Sequence, residues 1–487
     1  MTIVVHASEM AALRKCMSSL DRSAAWADEA APSPEQIYTP WSHGRALDPD
    51  RTLVVGNRGV GKSFWSSALV DPTARAVAAD AYPRSGLNYV SKAVFGFRAG
   101  IADEIAPDKV VLKRIVNSGV SPESIWLAVA LRALTSDSGA SREQSLLDLA
   151  MQAESSPEIS RLKLRSAAES YSSAGEKFLL IFDALDRLGD NWSEIQDLTE
   201  GLFKFALSVR GLRGLALKIF VRPDQLADPR LSRFPDASKL QAERVDLRWR
   251  PHDLFGLLFF YLMNDPDSQD IMLRLVESRG MQIRDGVRIE WNAEWAQQSL
   301  FSVIAGEWMG ANKKRGSTYS WLPLHLADAR EECSPRSFLK ALSVAASYEP
   351  APTDLAIDHH GIKEGVVEAS KLRLAELSED YWWINMAMEP LRGISVPCLQ
   401  SDLIEVWRVS HTVESIRTAS ESTQLLPLLF ESFGSSSRSD ETSLMLMLYE
   451  IAVLEIRSNG KANFPDIFRI AAGIKRRGGV KPPNFQH

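Results

Sequence analysis

The octapeptide GNRGVGKS, Gly56 to Ser63, constrains what this chain can fold into more than any other stretch. It fits the pattern Gly-x-x-x-x-Gly-Lys-[Ser/Thr], and its setting matters as much as its letters. TLVV, Thr52 to Val55, is a short apolar segment closing on the first glycine, and SFWSSALV runs on from Ser63 without a breaker until Pro72. Strand, loop and helix are therefore expected in that order. In such a loop successive backbone amides wrap phosphate oxygens, and the following helix adds its positive end. Gly56, Asn57, Arg58, Gly59, Val60 and Gly61 would form the cradle, with Lys62 reaching the outer phosphates and the Ser63 hydroxyl helping to hold Mg2+. Glycine at 56, 59 and 61 permits the backbone to approach the ligand closely.

A second signal is KFLLIF, Lys177 to Phe182, an apolar strand followed at once by DALDRL. A carboxylate at the carboxyl end of a strand beside a phosphate loop can accept hydrogen bonds from waters on Mg2+, which makes Asp183 the second metal candidate after Ser63. The plainer alternative is that Asp183 caps the next turn while Asp186 pairs with Arg187. LALKIFV, Leu215 to Val221, is a further strand, preceded by a helix-like segment from Ser193 to Arg210. Helical spacing also fills much of the stretch from Pro122 to Tyr171. Strands alternating with helices predict an α/β fold with a mainly parallel sheet.

The 487 residues leave room for about two to four domains. The expected division is a lead-in over 1–50, an α/β core over 51–250, a helical lid over 251–350 and a C-terminal helical and winged-helix region over 351–487. The longest apolar run, Leu254 to Met263, falls well short of the roughly 20 residues that span a bilayer, so a buried helix is expected and no membrane. MTIVVHASEM offers no signal-peptide core, and a cytoplasmic location is expected. Cys16, Cys333 and Cys398 show no metal or redox spacing. With 56 Lys and Arg against 62 Asp and Glu, binding to nucleic acid would require a local basic patch.

Such a patch is offered at the C-terminus. ETSLMLMLYEIAVLEI reads as a helix running into a strand, and Asn459-Gly460 is the favoured centre of a type I′ hairpin, together suggesting a winged helix. The final KRRGGVKPPNFQH carries Lys475, Arg476, Arg477 and Lys481 without an acid, a basic tail that could contact DNA. GSSSRSD, Gly434 to Asp440, reads as a loop or linker. His359-His360 is expected at a surface, and Tyr381 with Trp382-Trp383 on a buried helix face.

GNRGVGKS followed roughly 120 residues later by IFDALDR resembles the additional-strand P-loop ATPases, the division containing AAA+, KAP-type and STAND proteins. The resemblance covers roughly Arg51 to Ser347. It implies a P-loop NTPase core with a helical lid, ATP and Mg2+ as cofactors, and a nucleotide cycle coupled to self-assembly or to an effector protein. Bacterial proteins resembling these often serve in defence. In several of the groups the second strand ends in two acids. Here Ala184 replaces the second, which implies weak hydrolysis and leaves Asp186 as the nearest candidate base. KIFVRPDQ puts Arg222 where the family carries its sensor 1 residue, although an arginine paired with Asp224 explains the same letters. SPRSFLKAL resembles the sensor 2 helix, making Arg336 a further catalytic candidate; a plain N-cap by Ser334 with Pro335 behind it is the alternative. The absence of an Asn-Lys-x-Asp guanine-reading motif favours ATP over GTP. A DNA-binding regulator that uses ATP as a switch is the other functional expectation.

Overall fold

A computed structural model of the chain describes residues 6–21, 31–100, 103–136, 144–228, 230–279, 283–284, 288–289, 294–423 and 439–478. The fold has two compact units, Ala27–Arg248 and Met1–Trp26 with Trp249–His487.

The first unit is built on a parallel sheet of β1 (Leu53–Val55), β2 (Val90–Phe97), β3 (Lys177–Phe182), β4 (Leu215–Val221) and β5 (Val245–Asp246), in the order β2-β3-β4-β1-β5. β4 thus lies between β1 and β3, and the carboxyl ends of all three open side by side. The expected strands are present, and β2 and β5 join them. Helices α1 (Lys62–Val70), α2 (Pro72–Ala81), α3 (Lys109–Asn117), α4 (Pro122–Thr135), α5 (Leu146–Ser155), α6 (Pro157–Ser173) and α7 (Trp192–Val209) surround the sheet.

β3 is apolar along its length because a central parallel strand is covered on both faces. Trp126 of α4 meets Phe97 and Phe182 edge-on, with ring centroids 6.5 and 5.4 Å away, and its indole N–H donates to the Leu198 carbonyl of α7 at 2.8 Å. A lysine also lies within this apolar frame. Lys218 on β4 is fully buried, and its ammonium donates to the carbonyls of Ala46, Asp48 and Arg51 at 2.9, 2.5 and 2.6 Å. Three donors meet three acceptors, so the segment entering β1 is held by the neighbouring strand.

The second unit is helical. Phe255 of α8 (Pro251–Asn264) is enclosed by Phe301 of α9 (Glu294–Ala305), Tyr319 of α10 (Thr318–Leu326) and Phe338 of α11 (Pro335–Ala346), at centroid distances of 4.8, 4.1 and 5.2 Å. The apolar run from Leu254 therefore forms a buried helix. The N-terminal helix Ala7–Met17 belongs here too, with the Arg14 guanidinium donating to the carbonyls of Pro352, Leu355 and Ala356. Consequently the expected lead-in over 1–50 is split between the two units, and 251–350 and 351–487 belong to one unit rather than two.

α11 and α12 (His359–Asp380) approach so closely that a Cβ on Gly365 would stand 2.1 Å from the Ala341 carbonyl oxygen, and one on Gly361 would stand 2.7 Å from that of Ala345. Gly365→Ala gains about 1 kcal/mol of helix propensity but forces two backbones apart, a steric cost of about 1–3 kcal/mol or more. The clash should win. A clear fall in the thermal midpoint is expected, and an unchanged midpoint would show that the helices slide without cost.

Beyond α13 (Gln400–Val409) and α14 (Asp440–Glu450), the C-terminal strands are short. β6 (Ser395–Val396) pairs in parallel with β9 (Lys475–Arg476), and β7 (Glu455–Ile456) pairs antiparallel with β8 (Ala462–Asn463). The β7–β8 connection is not the expected type I′ turn. Gly460 has φ 76°, but Asn459 is not left-handed, and bonds from Gly460 N–H to Arg457 O and from Arg457 N–H to Lys461 O close a type I turn with a glycine bulge. Two residues separate the strands of a type I′ hairpin, whereas here three, Ser458 to Gly460, lie between the bonded pair Arg457 and Lys461. Lys475, Arg476 and Arg477 are exposed; Lys481 and residues 434–438 lie outside the described residues. Tyr381 and Trp383 are buried, in the turn after α12 rather than on a helix face. Among the described residues no helix is long and apolar enough to cross a membrane.

Candidate functional site

The loop Gly56–Ser63 joins β1 to α1. Gly59 and Gly61 take φ of 80° and 95°, a conformation that L side chains rarely adopt, and a Cβ on Gly56 would stand 2.7 Å from Val60 Cγ2. The loop therefore folds over itself and leaves a concave backbone at the helix N-terminus. Lys62, the first residue of α1, is half-buried and donates its Nζ to the carbonyls of Gly56 and Asn57 at 2.8 and 2.9 Å. Burial pushes its pKa down to about 8, Asp183 opposes the shift, and the Arg222 guanidinium adds to it.

Asp183 follows β3 directly and is 5% exposed. Its Oδ2 accepts from the Ser66 hydroxyl of α1 at 2.9 Å, and that hydroxyl also lies 3.0 Å from the Ser63 carbonyl oxygen. Ser66 therefore connects the two expected metal residues. No motif names it; the only signal is its position three residues after Ser63, on the same helix face.

Ala184 has φ 55° and ψ 43°, a left-handed backbone that costs an alanine about 1–2 kcal/mol. It turns the chain so that Leu185–Arg187 form a short 3-10 turn, with Leu185 buried beneath. Asp186 then lies with Oδ2 3.5 Å from an Arg222 nitrogen. The alternative that paired Asp186 with Arg187 is corrected here, because Arg187 is exposed and Arg222 is the partner. Arg222, just beyond β4, also grips Asp224 through Nε and a terminal nitrogen at 3.0 and 2.6 Å. The pairing with Asp224 is thus present, and Arg222 also lies among the charged side chains that act on Lys62. Next to it, Gln225 accepts from the Arg222 N–H, while its own buried Nε2 has no partner.

Arg336 is placed differently. It lies on α11 of the helical unit and donates to Glu376 of α12 at 3.0 Å, while Ser334 caps the helix with Pro335 at its first position. The capping alternative is thus present, and the guanidinium is engaged within its own unit.

His43 escaped the sequence reading. Fully buried, it accepts the Trp65 indole N–H at Nδ1 (3.0 Å), and its Nε2 lies 3.1 Å from the carbonyl of Arg248, so Nε2 carries the proton. Burial pushes its pKa down to about 3, against 6.5 when free. Between those values the unfolded chain binds the proton and the folded one does not, so the stability present above pH 6.5 is lost as pH falls towards about 3. Thermal midpoints measured down to about pH 4 should therefore fall less steeply in His43→Gln than in the parent; parallel curves would remove His43 from the acid response.

No protein-family model, curated protein or solved structure matches the chain. The residues fit a Mg2+–nucleotide pair on their own chemistry. The loop turns on two left-handed glycines, Lys62 is a desolvated cation whose bonds among the described residues go to backbone carbonyls, and Ser63 and Asp183 carry oxygen donors of the hard kind that Mg2+ would take.

Proposed function

We propose that the sheet unit binds ATP with Mg2+ and hydrolyses it slowly, as an AAA+- or STAND-like ATPase. The observation that carries this reading is the meeting of a glycine-shaped loop, the desolvated Lys62 and the buried Asp183 at the carboxyl ends of β1 and β3, the two strands that flank β4. The position of β4 between β1 and β3 supports the additional-strand resemblance, since it brings Arg222 between the two motifs. In this reading the loop amides and Lys62 bind the phosphates, Ser63 and Asp183 hold Mg2+, and Ser66 fixes the Asp183 carboxylate. Bound Mg2+ would neutralise charge on the phosphate oxygens. Asp186 is the candidate to take a proton from an attacking water, and Arg222 the candidate to face the outer phosphate. Arg336 stays a catalytic candidate only if its bond to Glu376 opens.

Such a cycle would be coupled to self-assembly or to an effector protein, and bacterial defence is one setting in which similar proteins work. ATP turnover, measured beside particle size in ADP and in a non-hydrolysable analogue, tests catalysis and assembly together. Absence of binding to either nucleotide would overturn the reading.

A second reading, a DNA-binding regulator with ATP as its switch, is favoured by the exposed Lys475, Arg476 and Arg477 beside the β7–β8 hairpin, here proposed as a winged helix. Its test is DNA-stimulated turnover.

A further inference from the structure

The helical unit carries a second cationic element, far in sequence from the tail. After α9 the chain turns at Gly306, and Trp308 pairs with Ser317 in an antiparallel bridge. Met309 is 2% exposed, and its N–H donates to the Gly316 carbonyl at 2.9 Å. Thr318 closes the base, with its N–H on Glu307 O at 3.1 Å and its hydroxyl on Gly306 O at 2.6 Å. Between these ties runs GANKKRG, Gly310 to Gly316, bounded by glycines with φ of 150° and 90°. Inside it the Asn312 side chain accepts from Lys314 N–H at 3.1 Å and caps the 3-10 turn Lys313–Arg315. All three cations are exposed, and none has an ion-pair partner among the described residues. No Asp or Glu occurs between Glu307 and Asp328.

We propose that this tip contacts the phosphate backbone of nucleic acid and reads no bases. Consecutive side chains of a 3-10 turn fan out about 120° apart, so the cations surround the tip and suit a chain of phosphates rather than one enclosed anion. The rigid base matters because a capped, bridged turn has little backbone freedom left to lose on binding. An anionic bilayer is a poorer occupant, since three charges with no apolar side chain at the tip fall below the usual clusters of about 4–8. An acidic protein would meet no aromatic or aliphatic anchor within GANKKRG. The formal charge of −6 for the whole chain opposes a polyanion elsewhere, so contact would be confined to acid-free basic stretches such as this one.

The proposal shares with the second reading only the class of partner, and it uses different residues. The test is binding of the full chain to a short labelled DNA duplex and to the matching single strand over about 50–200 mM salt. The parent is compared with Lys313→Gln/Lys314→Gln/Arg315→Gln and with Lys475→Gln/Arg476→Gln/Arg477→Gln. If the tip neutralises three phosphates, the parent should lose about 40-fold more affinity for the duplex, and about 20-fold more for the single strand, than the tip variant across that salt range, whatever the DNA sequence. Unchanged salt dependence in the tip variant overturns the proposal. If the tail variant alone weakens binding, the second reading survives and the tip is rejected, whereas absence of binding by the parent rejects both. Binding of the parent to phosphatidylserine vesicles but not to DNA assigns the tip to lipid and also overturns the proposal.

Discussion

Lys62→Ala is expected to abolish ATP binding and turnover in the working range of nucleotide. The ammonium would be shared between two phosphates, and charge-assisted hydrogen bonds contribute about 1.5–3 kcal/mol each, so the loss is about 10²-fold or more. The fold should persist, because among the described residues Lys62 bonds to the carbonyls of Gly56 and Asn57 within its own loop and ties no other element. Calorimetric titration with ATP, checked by an unchanged thermal midpoint, reads this directly. pH gives a second readout. With the free lysine near pKa 8, an anion bound beside it raises that value, so ATP affinity should hold below pH 8 and weaken above it. Wild-type affinity in a folded Lys62→Ala protein would remove the loop from the proposed function.

Asp183→Asn and Asp186→Asn should separate metal binding from proton transfer. In Asp183→Asn the side-chain amide keeps an oxygen to accept from Ser66 but loses the charge that Mg2+ requires, so Mg2+-dependent nucleotide binding and turnover should fall together. Asp186 lies outside the loop, half-buried and 3.5 Å from Arg222. If it is the base, Asp186→Asn spares binding and lowers kcat by about 10² or more. Should its task be to hold Arg222, the thermal midpoint drops and turnover per folded molecule stays near the parent value. That second outcome rejects the base assignment and points to an acid outside this strand.

The strands around the candidate site are legible in the sequence because of where they lie. β1, β3 and β4 are central, and burial on both faces demands the unbroken apolar runs that mark them. β2 is at the sheet edge and reads VSKAVFGF, in which Ser91, Lys92 and Gly96 dilute the signal, while β5 is two residues long. The loop residues and Asp183 could be nominated because the phosphate and metal chemistry proposed for them restricts the residue types at fixed spacing. Ser66 and His43 could not, since each is defined by a partner distant in sequence, Asp183 and Arg248 respectively. Lys218 was hidden for the same reason, as a lysine inside an apolar strand makes sense only with three carbonyls around it. The turn at Asn459-Gly460 misled because the dipeptide specifies a left-handed residue, which Gly460 provides, without fixing the loop length.

The discontinuity of the helical unit has a consequence for how a ribosome delivers this protein. The helix Ala7–Met17 emerges long before its anchors: Arg14 waits for Pro352, Leu355 and Ala356, and Lys15 waits for Asp267. At a synthesis rate of about 5–20 residues per second, the gap is roughly 20 to 70 seconds. During it the sheet unit, continuous from Ala27 to Arg248, can complete itself. Met10, Leu13, Cys16 and Met17, all buried in the finished protein, meanwhile have no partner surface. This helix is thus among the last elements of its unit to be packed, and a chaperone that binds apolar helices has a long opportunity to hold it.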